Sequence, residues 1–510
     1  MDEVHENCGV AAVSIDERSR EKGKAPYYLY RLLLNLQNRG QLSAGITTYN
    51  RERNQLIDTH RNLGTVNEVF KTSYPILSQK LFEKYAGSKG IGHTRYATCG
   101  KDNKAYAQPF ERHHGRIWKW FSFCFNGNLA NYAELRDGLL KKPDYHILYD
   151  TDTEIIMHYL GRELKGSSKP NLVNVFRNLS KIFDGCYCLA FLNASGDLAV
   201  IRDPNGWRPM CYGRKDGIFM AASETTALLN SGVTNIKSLR PGEIVIVENG
   251  KVSVSQFARS EKKSFCMFEW VYFANVSSIF EGKSVYLTRT NLGRELAKKE
   301  TLRIDDQFLV VPVPDSAKPA GDAYAFELGI PSREGLVRNR YVGRTFIESG
   351  CRQDKVKNKF TVLREIVKGK KVLLVDDSIV RGTTTREIVQ YIRDIGGAKE
   401  VHVRVSCPPI LSPCFYGIDM STITELFACK YFAPPYHKIP DSVLRKMARE
   451  LGADSVVYQD IEGLIKSIGI PRQSLCLACL NAEYPTEWGK KIYKKALSAC
   501  NACADKRSYE

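Results

Sequence analysis

Two hydrophobic patterns share this chain, and the change between them falls near its middle. In the first half, short apolar runs bounded by turn residues recur. Cys8-Gly-Val-Ala-Ala-Val-Ser, Cys186 to Leu192, Leu198 to Arg202, Ile218 to Ala222 and Glu243 to Val247 read as strands. Tyr27 to Asn38 and Asp152 to Leu164 have the apolar spacing of helices. Many strands with few helices predict a layered sheet domain. After the charged linker Ser260-Glu-Lys-Lys-Ser264 the pattern changes. Phe308 to Val313 and Lys371 to Val375 are continuous apolar strands, a helix follows from about Thr385 to Ile395, and Glu400 to Ser406 is a third strand. That alternation predicts an α/β domain with a parallel sheet. From about Asp441 onward the chain reads as helical and carries cysteine pairs. The expected division is 8–255 for the layered domain, 266–455 for the α/β domain and 456–510 for a C-terminal helical segment.

Length supports this division, since 510 residues exceed one ordinary domain. No apolar run approaches a membrane span. The start, Met-Asp-Glu-Val-His-Glu-Asn, is acidic and lacks the apolar core of a signal peptide. The expectation is a soluble, cytoplasmic protein with no membrane partner. The formal charge of +18 invites a nucleic-acid reading. Lys and Arg are spread along the whole chain, however, so solvated surface charge is expected and no nucleic-acid partner. A modest positive field also suits a polyphosphate substrate. Fifteen cysteines, odd in number and irregular in spacing, argue against a disulfide framework. They must divide into core residues such as Cys186 and Cys188, a catalytic residue and metal ligands.

The sharpest chemical signal is Val375-Asp376-Asp377-Ser378-Ile379-Val380-Arg381-Gly382-Thr383-Thr384-Thr385. A buried strand ends in two carboxylates, a loop of small and hydroxyl residues follows, and a helix begins. N–H groups at a helix N-terminus bind phosphate, Gly382 permits close backbone approach, and the Thr hydroxyls donate to phosphate oxygens. The carboxylates suit the vicinal hydroxyls of a sugar, or a magnesium ion. An acidic turn capping a helix explains Asp-Asp alone but not all eleven residues. The loop resembles the phosphoribosyl-pyrophosphate loop of type I phosphoribosyltransferases. The resemblance implies binding by Asp376, Asp377, Ser378, Arg381, Gly382, Thr383, Thr384 and Thr385. Val313-Pro314-Asp315-Ser316 resembles the strand end whose hydroxyl joins Asp376 and Asp377 at magnesium. Arg338-Asn339-Arg340-Tyr341-Val342-Gly343-Arg344 resembles the flexible catalytic loop, whose Arg340 and Arg344 would neutralise pyrophosphate.

In the first half, a Cys-Gly-Val strand taken alone is a buried cysteine. Gly92-His93-Thr94-Arg95 puts an arginine where it can grip a carboxylate, and Asn126-Gly127 offers an amide and a backbone N–H, the two donors of an oxyanion hole. Asp152 opens a helix, where it can cap while binding an amino group. Arg202 to Pro209 is a turn of opposed charges. Together these resemble the N-terminal-nucleophile glutaminase domain. That resemblance implies Cys8 as nucleophile, Asn126 and Gly127 as oxyanion donors, and Arg95 and Asp152 as the glutamine-binding pair. The cysteine must then begin the mature chain, its α-amino group, with pKa about 7.7–8.0, taking the thiol proton. Residues 1–7 are therefore expected to be a propeptide cut at Asn7–Cys8.

Cys476-Leu-Ala-Cys479 is a pair that suits zinc, redox or cluster chemistry. With Cys266 in Cys266-Met-Phe-Glu-Trp-Val-Tyr-Phe-Ala274 and Cys414 in Pro408 to Asp419, it resembles the amidophosphoribosyltransferases that carry a [4Fe–4S] cluster. A zinc site is the runner-up. Cys500 and Cys503 form a second pair, read as tail. The family resemblance runs from Cys8 to about Glu487. It implies synthesis of phosphoribosylamine, glutamate and pyrophosphate from glutamine, water and phosphoribosyl pyrophosphate at the first committed step of purine synthesis. It also implies purine-nucleotide inhibition and a homo-oligomer, tetramer or dimer. Departures occur at Asn38 and Leu42, at Phe125, and at Asn275-Val276. They bear on glutaminase efficiency and on coupling between domains. They keep one alternative in view, a weak paralogue that binds phosphoribosyl pyrophosphate or nucleotides as a regulatory subunit.

Overall fold

The strand Gly9–Ile15 is buried along its whole length, which is why it lacks polar alternation. In the computed structural model, which describes residues 8–96, 103–339, 359–420 and 422–501, it lies inside a seven-stranded antiparallel sheet. The sheet runs Lys237–Ser238, Cys211–Lys215, Ile218–Ala222, Gly9–Ile15, Lys89–Arg95, Ser43–Tyr49, Ile57–Leu63. A second antiparallel sheet runs Lys251–Gln256, Glu243–Glu248, Leu198–Arg202, Gly185–Asn193, Phe121–Leu129, Phe110–Arg112. The sheets pack through Val10, Ala12, Cys124, Cys188 and Phe219, so Cys188 is a core cysteine as expected. Helix Ala25–Asn35 packs on the outer face of the first sheet, and helices Asp152–Glu163 and Leu172–Ser180 on that of the second. The result is the layered sandwich that the strand-rich pattern predicts.

The second half builds a four-stranded parallel sheet ordered Phe308–Pro312, Lys371–Asp376, Glu400–Val405, Ser455–Tyr458. Val372 and Leu374 face helices Thr383–Asp394 and Asp441–Leu451, while Leu373 and Val375 face helices Val285–Ala297 and Lys318–Leu328. Both faces are covered, so these strands read as unbroken apolar runs.

Three boundaries differ from expectation. The first helix, predicted over Tyr27 to Asn38, starts with Pro26 in its first turn and ends at Asn35, which frees Leu36 to Gly40 as a turn. The helix after the acidic loop starts at Thr383, because Gly382 (φ +79°) turns the chain into it. The expected boundary between 455 and 456 falls on a strand, since Ser455–Tyr458 is the edge of the parallel sheet. The C-terminal segment is also not purely helical. Leu475–Cys476 pairs in parallel with Phe265–Cys266 of the interdomain linker. Around this small ribbon Trp207, Phe268, Trp270, Phe415 and Tyr484 form one core drawn from both halves. Trp207 stacks on Tyr416 with ring centroids 4.4 Å apart, a contact worth about 0.5–1.5 kcal/mol beyond its buried area. Among the described residues no helix is long and apolar enough to cross a membrane.

Candidate functional site

Cys8 stands just before the first strand, half-buried, with Sγ 4.0 Å from the Tyr96 carbonyl oxygen. Arg95 ends the neighbouring strand and is buried, its guanidinium 5.5 Å from the Tyr106 ring centre. His93 crosses to the second sheet, its Nε2 3.0 Å from the Phe125 carbonyl. Burial pushes the His93 imidazole down to about 3, so the tie is made by a neutral ring. Asn126 and Gly127 follow Phe125 on the same strand. Asn126 is buried, and its Nδ2 has no hydrogen-bond partner among the described residues. A buried donor left unmet by the protein is costly, which suits this amide to a substrate oxygen. At Gly127 a Cβ would lie 1.9 Å from the Cys186 carbonyl oxygen, so only glycine fits. Two residues on, the Leu129 N–H donates to Asp152 Oδ2 at 3.4 Å.

Asp152 is the first residue of its helix, and Thr151 performs the capping, its Oγ1 accepting from the Glu154 N–H at 3.3 Å. The capping role expected of Asp152 therefore belongs to its neighbour, and its carboxylate is left for other use. Burial raises the Asp152 carboxyl to about 6, with backbone N–H groups opposing the shift only in part. The Arg202 to Pro209 turn is structural. Asp203 accepts the Asn205 and Gly206 N–H groups at 3.0 and 2.6 Å, while Arg202 and Arg208 reach Glu281 and Glu269 at 2.7 and 3.1 Å.

The acidic loop forms one side of a cavity of about 370 Å³ lined by Ser316, Asp376, Asp377, Ser378, Gly382, Thr384 and Thr385. Asp377 accepts the Ser378 hydroxyl at 2.8 Å and that of Ser316, while its N–H donates to Asp376 Oδ1 at 2.9 Å. Two carboxylates and a hydroxyl thus face one end of the cavity, a donor set of hard oxygens that fits magnesium. Gly382 sits under the Phe427 ring, where a Cβ would approach a ring carbon to 2.7 Å. Arg381 turns aside, its Nε donating to Glu425 at 2.8 Å and its guanidinium reaching the Asp419 carbonyl at 3.4 Å. Arg338 and Lys359 also line the cavity. Arg340 and Arg344 lie outside the described residues.

The opposite wall comes from elsewhere in the chain: Asn38, the segment Tyr272 to Val276, and Arg289. Glu269–Phe273 is one turn of π-helix. Buried Arg289 grips its end through the carbonyls of Trp270, Tyr272 and Ala274, each at 2.9 Å. Behind the wall runs a dry ion-pair chain. Arg39 Nε meets Glu224 at 2.5 Å, Arg39 meets Glu269 at 2.6 Å, and Arg208 meets Glu269 at 3.1 Å. Sequence reasoning missed Arg39, Glu224, Glu269 and Arg289. A charged residue inside an apolar run is the signal for Glu269, in Cys-Met-Phe-Glu-Trp-Val-Tyr-Phe, whereas Arg39, Glu224 and Arg289 stand among polar neighbours and carry no such mark.

Cys266, Cys414, Cys476 and Cys479 all fall in the core shared by the two halves, Cys266 paired in register with Cys476. Burial pushes the Cys266 thiol up to about 12 and those of Cys414 and Cys476 to about 11, while the Arg208 guanidinium pulls each of the three back. Each thiol's titration is also felt by at least one of the others, as expected of a convergent set. Among the described residues no group of three or more His, Cys, Asp or Glu closes tightly enough to hold a single metal ion. Cys500 is half-buried, and Cys503 lies outside the described residues.

Residues 93–230 match a family described as glutamine amidotransferase domain, and residues 289–410 one described as phosphoribosyl transferase domain. A Methanothermobacter thermautotrophicus protein named amidophosphoribosyltransferase is 39% identical over 504 residues, spanning 98% of this chain and 99% of its own. The Homo sapiens protein of that name is 36% identical, spanning 95% and 98%. Among solved structures, the Bacillus subtilis glutamine phosphoribosylpyrophosphate amidotransferase complexed with ADP and GMP is similar at a TM-score of 0.80 and 34% identity, over 94% of this chain and 98% of that one. A structure described as the allosteric regulatory enzyme of purine biosynthesis has a TM-score of 0.81 and 35% identity, over 94% and 96%.

Proposed function

The chain belongs to the amidophosphoribosyltransferases, and on that premise we propose how its own residues divide the reaction. The enzyme makes 5-phosphoribosylamine, glutamate and pyrophosphate from glutamine, water and phosphoribosyl pyrophosphate, in purine biosynthesis. In our reading Cys8 Sγ attacks the glutamine side-chain carbonyl after giving its proton to its own α-amino group. Asn126 Nδ2 and the Gly127 N–H hold the oxyanion, the tetrahedral adduct expels ammonia, and water releases glutamate from the thioester. Arg95 takes the glutamine α-carboxylate and Asp152 the α-ammonium. Ammonia then attacks C1 of the ribose and displaces pyrophosphate. The Gly382 to Thr385 turn holds the 5′-phosphate, Asp376 and Asp377 the ribose hydroxyls, and Arg340 and Arg344 the departing pyrophosphate.

Ser316, Asp376 and Asp377 would hold magnesium, which supplies charge neutralisation to the pyrophosphate. Cys266, Cys414, Cys476 and Cys479 would hold a [4Fe–4S] cluster. What supports that reading is three buried cysteines and half-buried Cys476 on three separate segments, with Arg208 beside them to offset the charge of their thiolates. The domains are proposed as 8–255 and 266 to the end of strand Ser455–Tyr458, with the remainder to 510 as a strap that carries two of the cluster cysteines and 1–7 as a propeptide. The relative complexed with ADP and GMP supports purine-nucleotide inhibition here. We also propose a cytoplasmic homo-oligomer, tetramer or dimer.

The observation that carries the reading is the orphaned Asn126 amide in one domain and the acidic cavity in the other. The deciding experiment is an assay of purified protein with either glutamine or ammonium as nitrogen donor. Product with both supports the assignment. Product with neither would favour the regulatory paralogue. Intact mass of active protein should show Cys8 as the first residue, and retention of Met1 to Asn7 in active enzyme would remove Cys8 as nucleophile.

A further inference from the structure

Three consecutive residues touch three different things. The side chain of Asn38 lines the transferase cavity. Arg39 is buried in the ion-pair chain behind the cavity wall. Gly40 lies so close to the end of the glutamine-site strand that a Cβ would sit 2.4 Å from the Arg95 carbonyl carbon and 2.7 Å from the Tyr96 nitrogen. The Tyr96 carbonyl is in turn the neighbour of Cys8 Sγ. One turn therefore abuts both reaction sites.

A single carboxylate fixes that turn. Glu224 receives Asn38 Nδ2 at 2.9 Å and Arg39 Nε at 2.5 Å on one oxygen. On the other it receives the Asn275 N–H at 2.9 Å and the Ser278 hydroxyl at 2.7 Å. The first two donors belong to the turn. The second two belong to the segment that walls the cavity and its continuation. A carboxylate accepts at about four lone-pair sites and donates nothing, so it alone among side chains of this size serves all four donors. We propose that Glu224 is a positioning residue that holds the glutamine-site turn in fixed register with the transferase wall, so that ammonia released at Cys8 reaches the ribose. The proposal rests on the assignment of the two sites given above.

The test is the ratio of glutamate to pyrophosphate formed from glutamine. Glu224→Gln keeps the shape but turns an amide NH₂ toward the Asn275 N–H, which forces the wall and the turn apart. We expect about fivefold more glutamate than pyrophosphate, the low end of coupling between sites, with ammonium-driven synthesis within a factor of about two of the parent. Ser278→Ala removes one donor only and should raise the ratio less, in the same direction. Equal loss of synthesis with both nitrogen donors, or an unchanged ratio in Glu224→Gln, overturns the proposal. If Glu224→Gln does not fold, an unchanged ratio in Ser278→Ala does so. Cys8→Ala run alongside isolates the premise: glutamate production surviving in it condemns the glutamine-site assignment rather than Glu224.

Discussion

At the scale of single residues, the most informative group is Asp152. Its carboxyl is pushed up to about 6 because burial penalises the charged form. A raised acid favours the proton in the folded state. Its ionisation therefore costs stability as pH climbs from the unfolded value near 3.9 through 6. Glutamine's ammonium needs the ionised form. Glutamine-dependent kcat/KM should rise with pH through an apparent pKa near 6, since this ratio reports the free enzyme. Ammonium-driven synthesis, compared at equal free ammonia, should lack that limb. A pH profile with the same limb for both donors would falsify the assignment. Asn126→Ala removes the orphaned amide and should lower glutamine-dependent kcat about 10²–10³-fold, sparing ammonium-driven synthesis. Asn126, Arg95 and Asp152 stand out as candidates in sequence because each sits in a short motif of small or capping residues. The capping role was misplaced by one residue, since Thr151 and Asp152 are both good caps and only the backbone shows which Oγ or Oδ meets the N3 amide.

At the scale of elements, the strand–loop–helix from Lys371 to Asp394 concentrates its chemistry in contiguous residues, which is why it could be read almost whole. The wall facing it could not. Arg289 meets carbonyls 15–19 residues away, and Arg39 meets Glu224 185 residues away, so no local pattern records either pairing. The same holds for Arg381, whose partner Glu425 lies 44 residues on. Gly382→Ala places a side chain at φ +79° against the Phe427 ring. It should destabilise the protein by about 1–2 kcal/mol, measured by denaturant melting, and weaken phosphoribosyl-pyrophosphate binding. Asp377→Asn should cut binding, by titration calorimetry with magnesium, and lower synthesis with either nitrogen donor. Its melt should shift little, because the amide still accepts one of the two hydroxyls and a like-charge contact with Asp376 is gone. Unimpaired binding with a much lower melt would make the acidic pair structural.

At the scale of the whole molecule, the two halves are joined by a dry seam rather than a tether. Arg39, Glu224, Glu269 and Arg208 are almost entirely buried, and removing one partner of such a chain costs about 3–5 kcal/mol because a charge is left uncompensated. The seam holds the four cysteines as well. Protein purified without oxygen should be brown, with iron and sulfide in near-equal amounts. Cys266→Ser should lose the colour and melt lower, as cluster binding is also folding free energy. Zinc in place of iron would overturn the cluster. The departure at Asn38 ends on Glu224 through its own side chain, whereas Asn275 reaches Glu224 through a backbone N–H that any residue but proline would supply.

The parallel pairing of Leu475–Cys476 with Phe265–Cys266 has a consequence for how the molecule is born. Domains fold as units while the chain emerges from the ribosome. The strand at 265 then waits, its partner not yet translated, until the segment at 475 has been made. A nascent or truncated chain stopped before 475 would carry two finished domains whose shared apolar seam stays open to chaperones and proteases. Pairing of the segment at 475 with that at 265 is thus the moment at which the cell's quality control first meets a closed seam.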